Sequence, residues 1–306
     1  MRIRSYFVLL LCLCLLGALW GCAKPAPSSP KSVGICLRDD ALPIHTAAKS
    51  VLTEQIGHTA LSEAKGEASM QLRQAEVYLQ EGYSLLVAES VDQETALALA
   101  TLSQQYQTPI IFTEFSTDHT LAEQAYCGSY LGYDPAQAGA ALAELLAQFP
   151  YGADTNQNGQ VAYLLITGPQ EDPFHAAAAQ GFADAMADDH LLETLVCDGT
   201  SESAQQLFDQ MLADHGRDIE VVFTTNEAIA TGVVNAIRRR GWYPGTDSYV
   251  LTISKQDDTQ ILQNGVSGIA IPDTDAYGAL ISQLAQDLLK KSPATNRVLA
   301  PWIAKR

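Results

Sequence analysis

Short apolar runs alternate along most of the chain with longer stretches in which apolar residues recur every three or four positions. The short runs are typical of strands, and the longer stretches have the period of amphipathic helices. This pattern predicts strands at 32–37, 84–88, 109–113, 125–130, 161–166, 193–197, 220–224, 249–253 and 269–271. It predicts helices at 45–55, 70–80, 93–106, 135–148, 174–188, 202–214, 227–239, 259–263 and 277–290.

The regular alternation of strands and helices with short connections indicates a doubly wound α/β fold with parallel sheets. No short-period repeat is visible, and the two halves of the chain share the pattern but not the sequence. The chain has 306 residues, which is enough for two lobes with cores of their own. We therefore expect an α/β protein of two lobes.

The first 31 residues follow a different pattern. Arg2 and Arg4 precede an apolar run at 6–16, which is followed by small residues, as in a secretory signal peptide at 1–21. The segment 19–22 (Leu-Trp-Gly-Cys) resembles a bacterial lipobox, so Cys22 is the expected lipid anchor. The alternative is an ordinary signal peptide with a chance cysteine. Residues 22–31, rich in Pro and Ser, are typical of a flexible tether.

Charge and motif content narrow the function. The chain has 35 acidic and 18 basic residues and a net charge of −17, so it repels phosphate backbones and we expect no nucleic-acid partner. No GxSxG, HExxH, P-loop or GxGxxG motif is present, so we expect no enzyme. Cys36, Cys127 and Cys197 lack a CxxC spacing, and we expect them to be buried and unpaired.

One loop has oxygen-bearing side chains at alternate positions. Asp154, Asn156, Asn158 and Gln160 stand at positions 1, 3, 5 and 7, with Gly159 at position 6. Alternate residues of such a loop point inward, and glycine allows the sharp turn, so the spacing suits a hard cation. The loop 154–160 is therefore a candidate cation site.

The same loop departs from an EF-hand. An EF-hand continues into a helix and has Glu at position 12, whereas a strand is predicted here and position 12 is Leu165. Any further acidic ligand must come from elsewhere in the chain. A metal-free polar turn remains the alternative, because Asp, Asn and Gly are also the residues that turns require.

The candidate ligand site lies where the predicted strands end. In open parallel sheets, ligands bind at the carboxyl ends of the strands. Carboxylates and amides there can form paired hydrogen bonds with a small polar ligand. The residues that follow strands are Arg38, Asp39, Asp40, Glu89, Ser90, Glu114, Glu171, Asp172, His175, Asn226, Ser254 and Asp273.

The loop 154–160 and the segment 219–228 (Ile-Glu-Val-Val-Phe-Thr-Thr-Asn-Glu-Ala) carry a family resemblance, with weaker support from 167–168 and 267–273. The chain resembles periplasmic binding proteins of the first structural class, most of all the galactose/glucose-binding proteins of ABC transporters. The resemblance implies two doubly wound parallel-sheet lobes joined by a three-stranded hinge. It places lobe 1 at 32–132 plus 273–292, and lobe 2 at 133–272 plus 293–306.

The resemblance also implies a structural calcium ion in the loop, completed by a distant glutamate. Glu220 matches that glutamate, and Gln160 would contribute its backbone carbonyl. Two positions depart from the family, with Asn158 in place of Asp and Ala162 in place of an amide. Fewer charges and oxygens imply weak binding of Ca²⁺. The expected ligands are Asp154, Asn156, Asn158, Gln160 and Glu220.

The family's sugar pocket is only partly matched. Asp40 and Asn226 match positions that hydrogen-bond sugar hydroxyls, although both residue types also serve as helix caps or loop residues. The family's other pocket positions map onto Leu42, Asp172, Phe174, Ala178, Gly199, Ser254 and Pro272, so the galactose pocket is not reproduced. The predicted ligand-binding residues are Asp40, Glu114, Asp172, His175, Asn226, Ser254 and Asp273.

The sequence thus predicts a monomeric, lipid-anchored, extracytoplasmic solute-binding protein. It would capture a galactose- or glucose-like sugar, or a related polyol, and deliver it to an ABC transporter permease. The alternatives are a lipoprotein that presents its bound state to a membrane sensor or chemoreceptor, and a degenerate member that binds no small molecule.

Overall fold

A computed structural model describes residues 31–114, 120–169, 172–256, 259–290 and 297–306, without the side chain of Glu114. Residues Ser32–Arg306 form one compact unit. The predicted signal peptide, the lipid-bearing Cys22 and nearly all of the tether lie outside the described residues. Within the described part of the chain, no helix combines the length and apolarity needed to span a membrane.

The first of two six-stranded sheets in the described residues is entirely parallel. Its order is β11-β5-β4-β3-β1-β2. The strands are β1 (Ser32–Leu37), β2 (His58–Glu63), β3 (Leu85–Ala88), β4 (Ile110–Glu114), β5 (Gly128–Tyr133) and β11 (Arg297–Ala300).

The second sheet repeats this order as β12-β10-β9-β8-β6-β7, with β12 antiparallel at one edge. Its strands are β6 (Ala162–Thr167), β7 (His190–Val196), β8 (Val221–Thr224), β9 (Tyr249–Ile253), β10 (Gly268–Pro272) and β12 (Trp302–Lys305). The matching orders confirm the predicted pair of doubly wound α/β lobes.

Helices connect the strands in both lobes. They are α1 (Pro43–Gln55), α2 (Ala68–Gln80), α3 (Gln93–Tyr106), α4 (Thr120–Glu123), α5 (Pro135–Leu145), α6 (Pro173–Ala185), α7 (Ser201–Asp214), α8 (Glu227–Arg239) and α9 (Thr274–Leu289). Short 3₁₀ turns lie at Leu146–Gln148, Pro150–Ala153, Gly216–Asp218 and Gln260–Asn264. Several helices begin at an Asp, Asn or Thr whose side chain accepts a backbone N–H of the first turn, which satisfies a donor that the helix leaves free.

Two glycines set the close packing of α5 on α6. A Cβ on Gly139 would collide with the backbone of Ala178, and a Cβ on Gly181 would collide with that of Ala136. The two helices therefore approach backbone to backbone. This contact holds the first helix of lobe 2 in place after the chain leaves lobe 1.

The chain passes between the lobes three times, as the resemblance implied. The crossings follow β5, β10 and β11, the last through Pro301. The expected boundary near the C-terminus is wrong in one respect. We assigned 293–306 to lobe 2, but β11 pairs with β5 in the first sheet, and only β12 joins the second. Periodicity could not separate two four-residue strands that lie in different sheets.

The pattern failed where strands are polar or short. It missed β2, an edge strand in which only Ala60 and Leu61 are apolar, and it missed both β11 and β12. The strand expected at 125–130 is β5, three residues later, and the helix expected at 259–263 is a 3₁₀ turn. Cys36 and Cys197 are buried as expected, whereas Cys127 is exposed.

Candidate functional site

The carboxyl ends of β1 and β3 bring together a buried charged group in lobe 1. Arg38 Nη2 lies 3.4 Å from Glu89 Oε1, and His45 Nε2 lies 3.8 Å from Glu89 Oε2. His45 and Glu89 are almost fully buried, while Arg38 is partly exposed. The backbone carbonyl of Glu89 accepts a 2.6 Å hydrogen bond from Gln71 Nε2, which fixes the strand end.

Burial shifts the pKa values of both Glu89 and His45. It raises the pKa of Glu89 above its ordinary value, and the Arg38 charge opposes that shift. Burial, helped by the Arg38 charge, lowers the pKa of His45 to about 4. The N–H of Leu42 donates to His45 Nδ1 at 3.1 Å, so the proton of the neutral ring lies on Nε2, towards Glu89.

A small cavity lies behind Glu89. Its volume is about 10 Å³, close to that of a single water site. It is lined by Ile44, His45, Glu89, Thr113, Leu131, Tyr133 and Tyr277. Besides His45 and Glu89, the lining includes the hydroxyl-bearing Thr113, Tyr133 and Tyr277.

Lobe 2 places Lys255, which follows β9, opposite this group. Lys255 Nζ lies 4.3 Å from the centroid of the buried Phe174 ring, a cation–π distance. Burial lowers the pKa of Lys255, and its charge interacts with those of Asp172, Arg38 and Glu89. An ammonium from lobe 2 thus lies within electrostatic reach of a guanidinium and a carboxylate from lobe 1.

Four aromatic rings run through the hinge to this cleft. Tyr277 stacks on Tyr133 at 5.7 Å between centroids, Tyr133 meets Trp302 at 5.3 Å, and Trp302 meets Phe174 at 6.3 Å. Trp302 Nε1 also donates to the carbonyl of Asp134 at 2.9 Å, which joins two of the crossing segments. The rings give one continuous apolar contact from lobe 1, through the hinge, to the ring beneath Lys255.

Three of the predicted ligand residues cap helices. Asp172, Asn226 and Asp273 accept backbone N–H groups at 2.9, 2.8 and 2.9 Å. Capping uses one side-chain oxygen, so the second oxygen of each Asp and the amide of Asn226 remain at the strand ends. Asn226 Nδ2 makes a long 3.4 Å contact with the carbonyl of Gly199. Their role towards a ligand stays a prediction.

The remaining predicted residues are dispersed. Asp40 has 80% of its side chain exposed and pairs with Lys65, so it lies away from the Glu89 group. Ser254 is buried and exchanges hydrogen bonds with the backbone of Gln256 at 2.8 and 2.9 Å. The side chain of Glu114 lies outside the described residues. These roles also stay predictions.

His175 lies between the cleft and the outer side of α6. Its Nε2 is 3.8 Å from Asp172 Oδ2, and its buried Nδ1 has no hydrogen-bond partner among the described residues. Burial lowers its pKa, and the Asp172 charge opposes the shift. The ring also lines a groove between α6 and β7.

The predicted ligand set contains none of Arg38, Glu89, His45 and Lys255. Arg38 and Glu89 are among the strand-end candidates, whereas His45 and Lys255 are not. A signal for Lys255 was present, since it directly follows Ser254 at the end of a strand. No signal marked His45, because it stands on a helix and reaches the cleft only through folding.

The loop 154–160 forms a closed hydrogen-bond network around Glu220. Asp154 accepts the N–H groups of Asn158 at 3.1 Å and Gly159 at 2.8 Å. Asn156 accepts the N–H of Asn158 at 3.0 Å, and Asn158 accepts that of Gln160 at 2.9 Å. The loop is therefore a series of Asx turns whose side-chain oxygens point inward.

Glu220 is fully buried and contacts the loop through hydrogen bonds, whereas its role as a calcium ligand stays a prediction. Its Oε1 accepts from Thr155 Oγ1 and from the N–H of Asn156, both at 3.0 Å. Its Oε2 accepts from the N–H of Ala162 at 2.8 Å. All three donors are neutral, so the buried negative charge is balanced by hydrogen bonds.

The donor set of the loop fits a hard cation, but weakly. All five expected ligands offer oxygen, and Asp154 and Glu220 supply the two negative charges. However, Glu220 Oε1 already accepts two hydrogen bonds, which leaves Oε2 as its freer oxygen. Among the described residues, no three His, Cys, Asp or Glu side chains are grouped as metal ligands.

The sequence model described as "Periplasmic binding protein domain" matches residues 44–293, which is most of the chain. The chain belongs to the periplasmic binding protein family. Members of this family bind solutes and are not enzymes, which confirms the expectation that this protein is not an enzyme.

Named relatives are distant. The D-galactose/methyl-galactoside binding periplasmic protein MglB of Haemophilus influenzae is 23% identical over 253 residues, covering 77% of this chain and 73% of that protein. A solute binding protein of Actinobacillus succinogenes with bound D-allose is 13% identical, with a TM-score of 0.69 over 90% of this periplasmic binding protein and 97% of that chain. The fructose binding periplasmic domain of a hybrid two component system is 18% identical, with a TM-score of 0.63 over 90% of each chain.

Proposed function

We propose that this periplasmic binding protein captures a small neutral sugar or polyol between its lobes and delivers it to an ABC transporter permease outside the cytoplasm. The relatives support a sugar ligand, since their names give galactose, allose and fructose. The family assignment supports an extracytoplasmic location.

The observation that carries this proposal is the meeting of Arg38 and Glu89 from lobe 1 with Lys255 and Phe174 from lobe 2. Hydroxyl groups both donate and accept, so a site for them needs acceptors and donors close together. Glu89 supplies the acceptors, and Arg38 and Lys255 supply the donors. The buried Phe174 ring lies beneath Lys255 and holds its ammonium group at a cation–π distance.

Closure of the lobes is the proposed signal to the partner. A ligand that contacts both lobes binds the closed state more tightly and shifts the population towards it. The aromatic rings through the hinge join the cleft to the crossing segments. The permease would then recognise the closed arrangement.

The test is thermal denaturation of the protein against a panel of monosaccharides and polyols. A ligand at 100 times its Kd should add about 2.7 kcal/mol to the free energy of unfolding. Asn226→Ala should remove the shift, but it also removes a helix cap. Asn226→Ser is the matched variant, because Ser keeps the cap and lacks the amide donor. If no sugar or polyol shifts the transition, the transport proposal is wrong.

A sensing role is the second candidate, and the similarity to the periplasmic domain of a two component system favours it. In that case the closed protein would dock on a membrane sensor or chemoreceptor. Transport and sensing are distinguished by an uptake assay. Membrane vesicles that contain the permease and ATPase encoded by neighbouring genes are supplied with labelled ligand. Uptake that depends on added binding protein supports transport, and a ligand effect on a kinase without uptake supports sensing.

We also propose a weak structural calcium site at Asp154, Asn156, Asn158, Gln160 and Glu220. Bound calcium would stabilise lobe 2 by joining the loop to the start of β8. Thermal denaturation with calcium and with a chelator tests this proposal, together with metal analysis of the purified protein. Identical transitions and no bound metal would leave the loop as a metal-free turn.

The lipid anchor on Cys22 is a further part of the proposed function. Mass spectrometry of the membrane-extracted protein should show a mature N-terminus at Cys22 with an attached lipid. Cys22→Ala should release the protein from the membrane fraction. A mature protein that begins elsewhere and fractionates without the membrane would contradict the anchor.

A further inference from the structure

Gln71 is a fully buried amide near the start of α2 that joins two strand ends of lobe 1. Its Nε2 donates to the backbone carbonyls of Glu89 at 2.6 Å and Cys36 at 3.2 Å. Its Oε1 accepts the N–H of Val91 at 3.0 Å. A buried amide that donates twice and accepts once is held in one orientation, so Gln71 is a fixed part of the lobe.

These contacts continue the sheet beyond the end of its strand pairing. The pairing of β1 with β3 ends at Cys36 and Ala88. The N–H of Glu89 still donates to the carbonyl of Cys36 at 3.1 Å, and Gln71 then supplies the partners of the Glu89 carbonyl and the Val91 N–H. Gln71 thus takes the place of a neighbouring strand for residues 89–91, whose buried backbone groups need hydrogen bonds.

The segment that Gln71 holds carries the acceptor of the candidate site. The side chain of Glu89 keeps only 7% of its surface open and lies 3.4 Å from Arg38 Nη2 and 3.8 Å from His45 Nε2. Arg38 directly follows β1, two residues after the Cys36 carbonyl that Gln71 also contacts. One side chain therefore fixes the backbone at both strand ends. Binding groups need to be held to within about 0.5 Å, and buried supporting residues provide that precision.

We propose that Gln71 is a positioning residue of the ligand site, which holds Glu89 where its carboxylate reaches both Arg38 and the ligand. This inference rests on the proposed function, because it takes Glu89 as a ligand contact. The contacts of Glu89 with Arg38 and His45 do not require a ligand. Loss of the Gln71 amide should therefore displace Glu89 before any sugar is added.

The His45 ring reports on Glu89 in the ligand-free protein. Burial beside Arg38 holds the pKa of His45 at about 4. Gln71→Met keeps the length of the side chain but has no N–H to donate, so Glu89 should shift and water should reach the ring. The pKa of His45 should then rise towards its ordinary value of 6.5. Imidazole nitrogen NMR signals followed from neutral to acidic pH measure this change, and His45→Asn identifies the signal.

Ser103→Ala separates positioning from a general loss of stability. Ser103 is as buried as Gln71, and its hydroxyl also joins two backbone groups, the carbonyl of Thr108 at 2.7 Å and the N–H of Tyr126 at 3.1 Å. Both groups precede strands, so they lie at the opposite end of the same sheet from the candidate site. Ser103→Ala should lower the thermal transition as Gln71→Met does, and should leave the His45 titration unchanged.

The Kd for the best sugar of the panel is the second measurement. It should rise roughly tenfold in Gln71→Met and stay unchanged in Ser103→Ala, as measured by calorimetric titration. If Gln71→Met does not fold, Gln71→Asn replaces it, because its amide is one methylene shorter and cannot reach all three backbone groups.

Two results would overturn the positioning role. One is a His45 titration in Gln71→Met that matches the unchanged protein, and the other is a Kd that changes no more than in Ser103→Ala. If no sugar binds the unchanged protein, the proposed function is wrong, and the His45 titration still decides whether Gln71 holds Glu89 in place.

Discussion

The loop 154–160 and the interlobe cleft are organised in opposite ways. Four of the five expected ligands lie in the loop itself, the fifth is the distant Glu220, and every contact is within lobe 2. In the cleft, Arg38, Glu89 and Lys255 come from three strand ends in two lobes. The loop holds a buried charge by neutral hydrogen bonds, whereas the cleft balances buried charges with one another.

This difference separates stability from function. The Glu220 network contributes its full free energy whether the lobes are open or closed, because it lies in one lobe. In the cleft, Arg38, His45 and Glu89 contact one another within lobe 1, and only the charge of Lys255 comes from the other lobe. We therefore expect changes in the loop to alter unfolding, and changes in the cleft to alter ligand binding and pH dependence.

The largest effect is expected for Glu220→Ala. It leaves the Thr155 hydroxyl and the N–H groups of Asn156 and Ala162 without their acceptor, which should cost about 4 kcal/mol of unfolding free energy. Urea denaturation measures this loss. Glu144→Ala, at an exposed position of α5, is the control and should change little. A loss below that of an ordinary surface substitution would mean that the network does not stabilise lobe 2.

The next effect is a pH dependence from His45. Its folded pKa of about 4 lies below its ordinary value of 6.5, so its contribution to stability is present above pH 6.5 and is lost as pH falls towards 4. The loss should reach about 3 kcal/mol. Glu89 acts in the opposite sense, because its raised pKa gives stability at low pH that is lost as pH rises.

His45→Asn isolates this contribution. Asn can still accept the N–H of Leu42 but does not titrate in this range. Denaturation curves between pH 4 and pH 7 should therefore be flatter for the variant than for the unchanged protein. Parallel curves would show that His45 is not held neutral by its surroundings.

A smaller effect is expected for Lys255→Met in the cleft. Met keeps the length of the side chain over Phe174 but removes the charge that faces Arg38 and Glu89. The Kd for the best sugar of the panel should rise roughly tenfold, about 1.4 kcal/mol. Calorimetric titration measures it, and Lys49→Met on the exposed side of α1 should bind normally. An unchanged Kd would remove Lys255 from the site.

The smallest effect is expected for Asp154→Asn in the loop. Its hydrogen bonds to two backbone N–H groups are near the surface, and Asn can keep one of them, so stability should fall by about 1 kcal/mol. Any calcium-dependent shift of the thermal transition should disappear in this variant. Asp214→Asn, on the exposed surface of α7, should retain it. A calcium response that survives would place the ion elsewhere.

Regions formed by contacts between residues close in the sequence could be predicted, and regions formed by distant residues could not. The strands and helices of both lobes could be predicted because buried parallel strands are continuous apolar runs and the helices are amphipathic. Strand β2 was missed because an edge strand is half exposed and polar, and β11 because four residues are too few for a period. The three-stranded hinge was predicted from the family resemblance. That β11 belongs to the first sheet is known only from its pairing with β5 in the structure.

The sequence by itself determined the two α/β lobes, the family, and a loop whose oxygen-bearing residues stand at fixed spacing. These features depend on local period, on turn chemistry and on residues close together in the chain. The tertiary structure alone decided that Glu89, His45, Arg38 and Lys255 meet across the cleft, and that Asp40 points to Lys65 instead. Arg38, His45 and Glu89 stand far apart in the sequence and meet because β1 and β3 are neighbours in the first sheet. Lys255 belongs to the other lobe, and no spacing in the sequence records its distance from them.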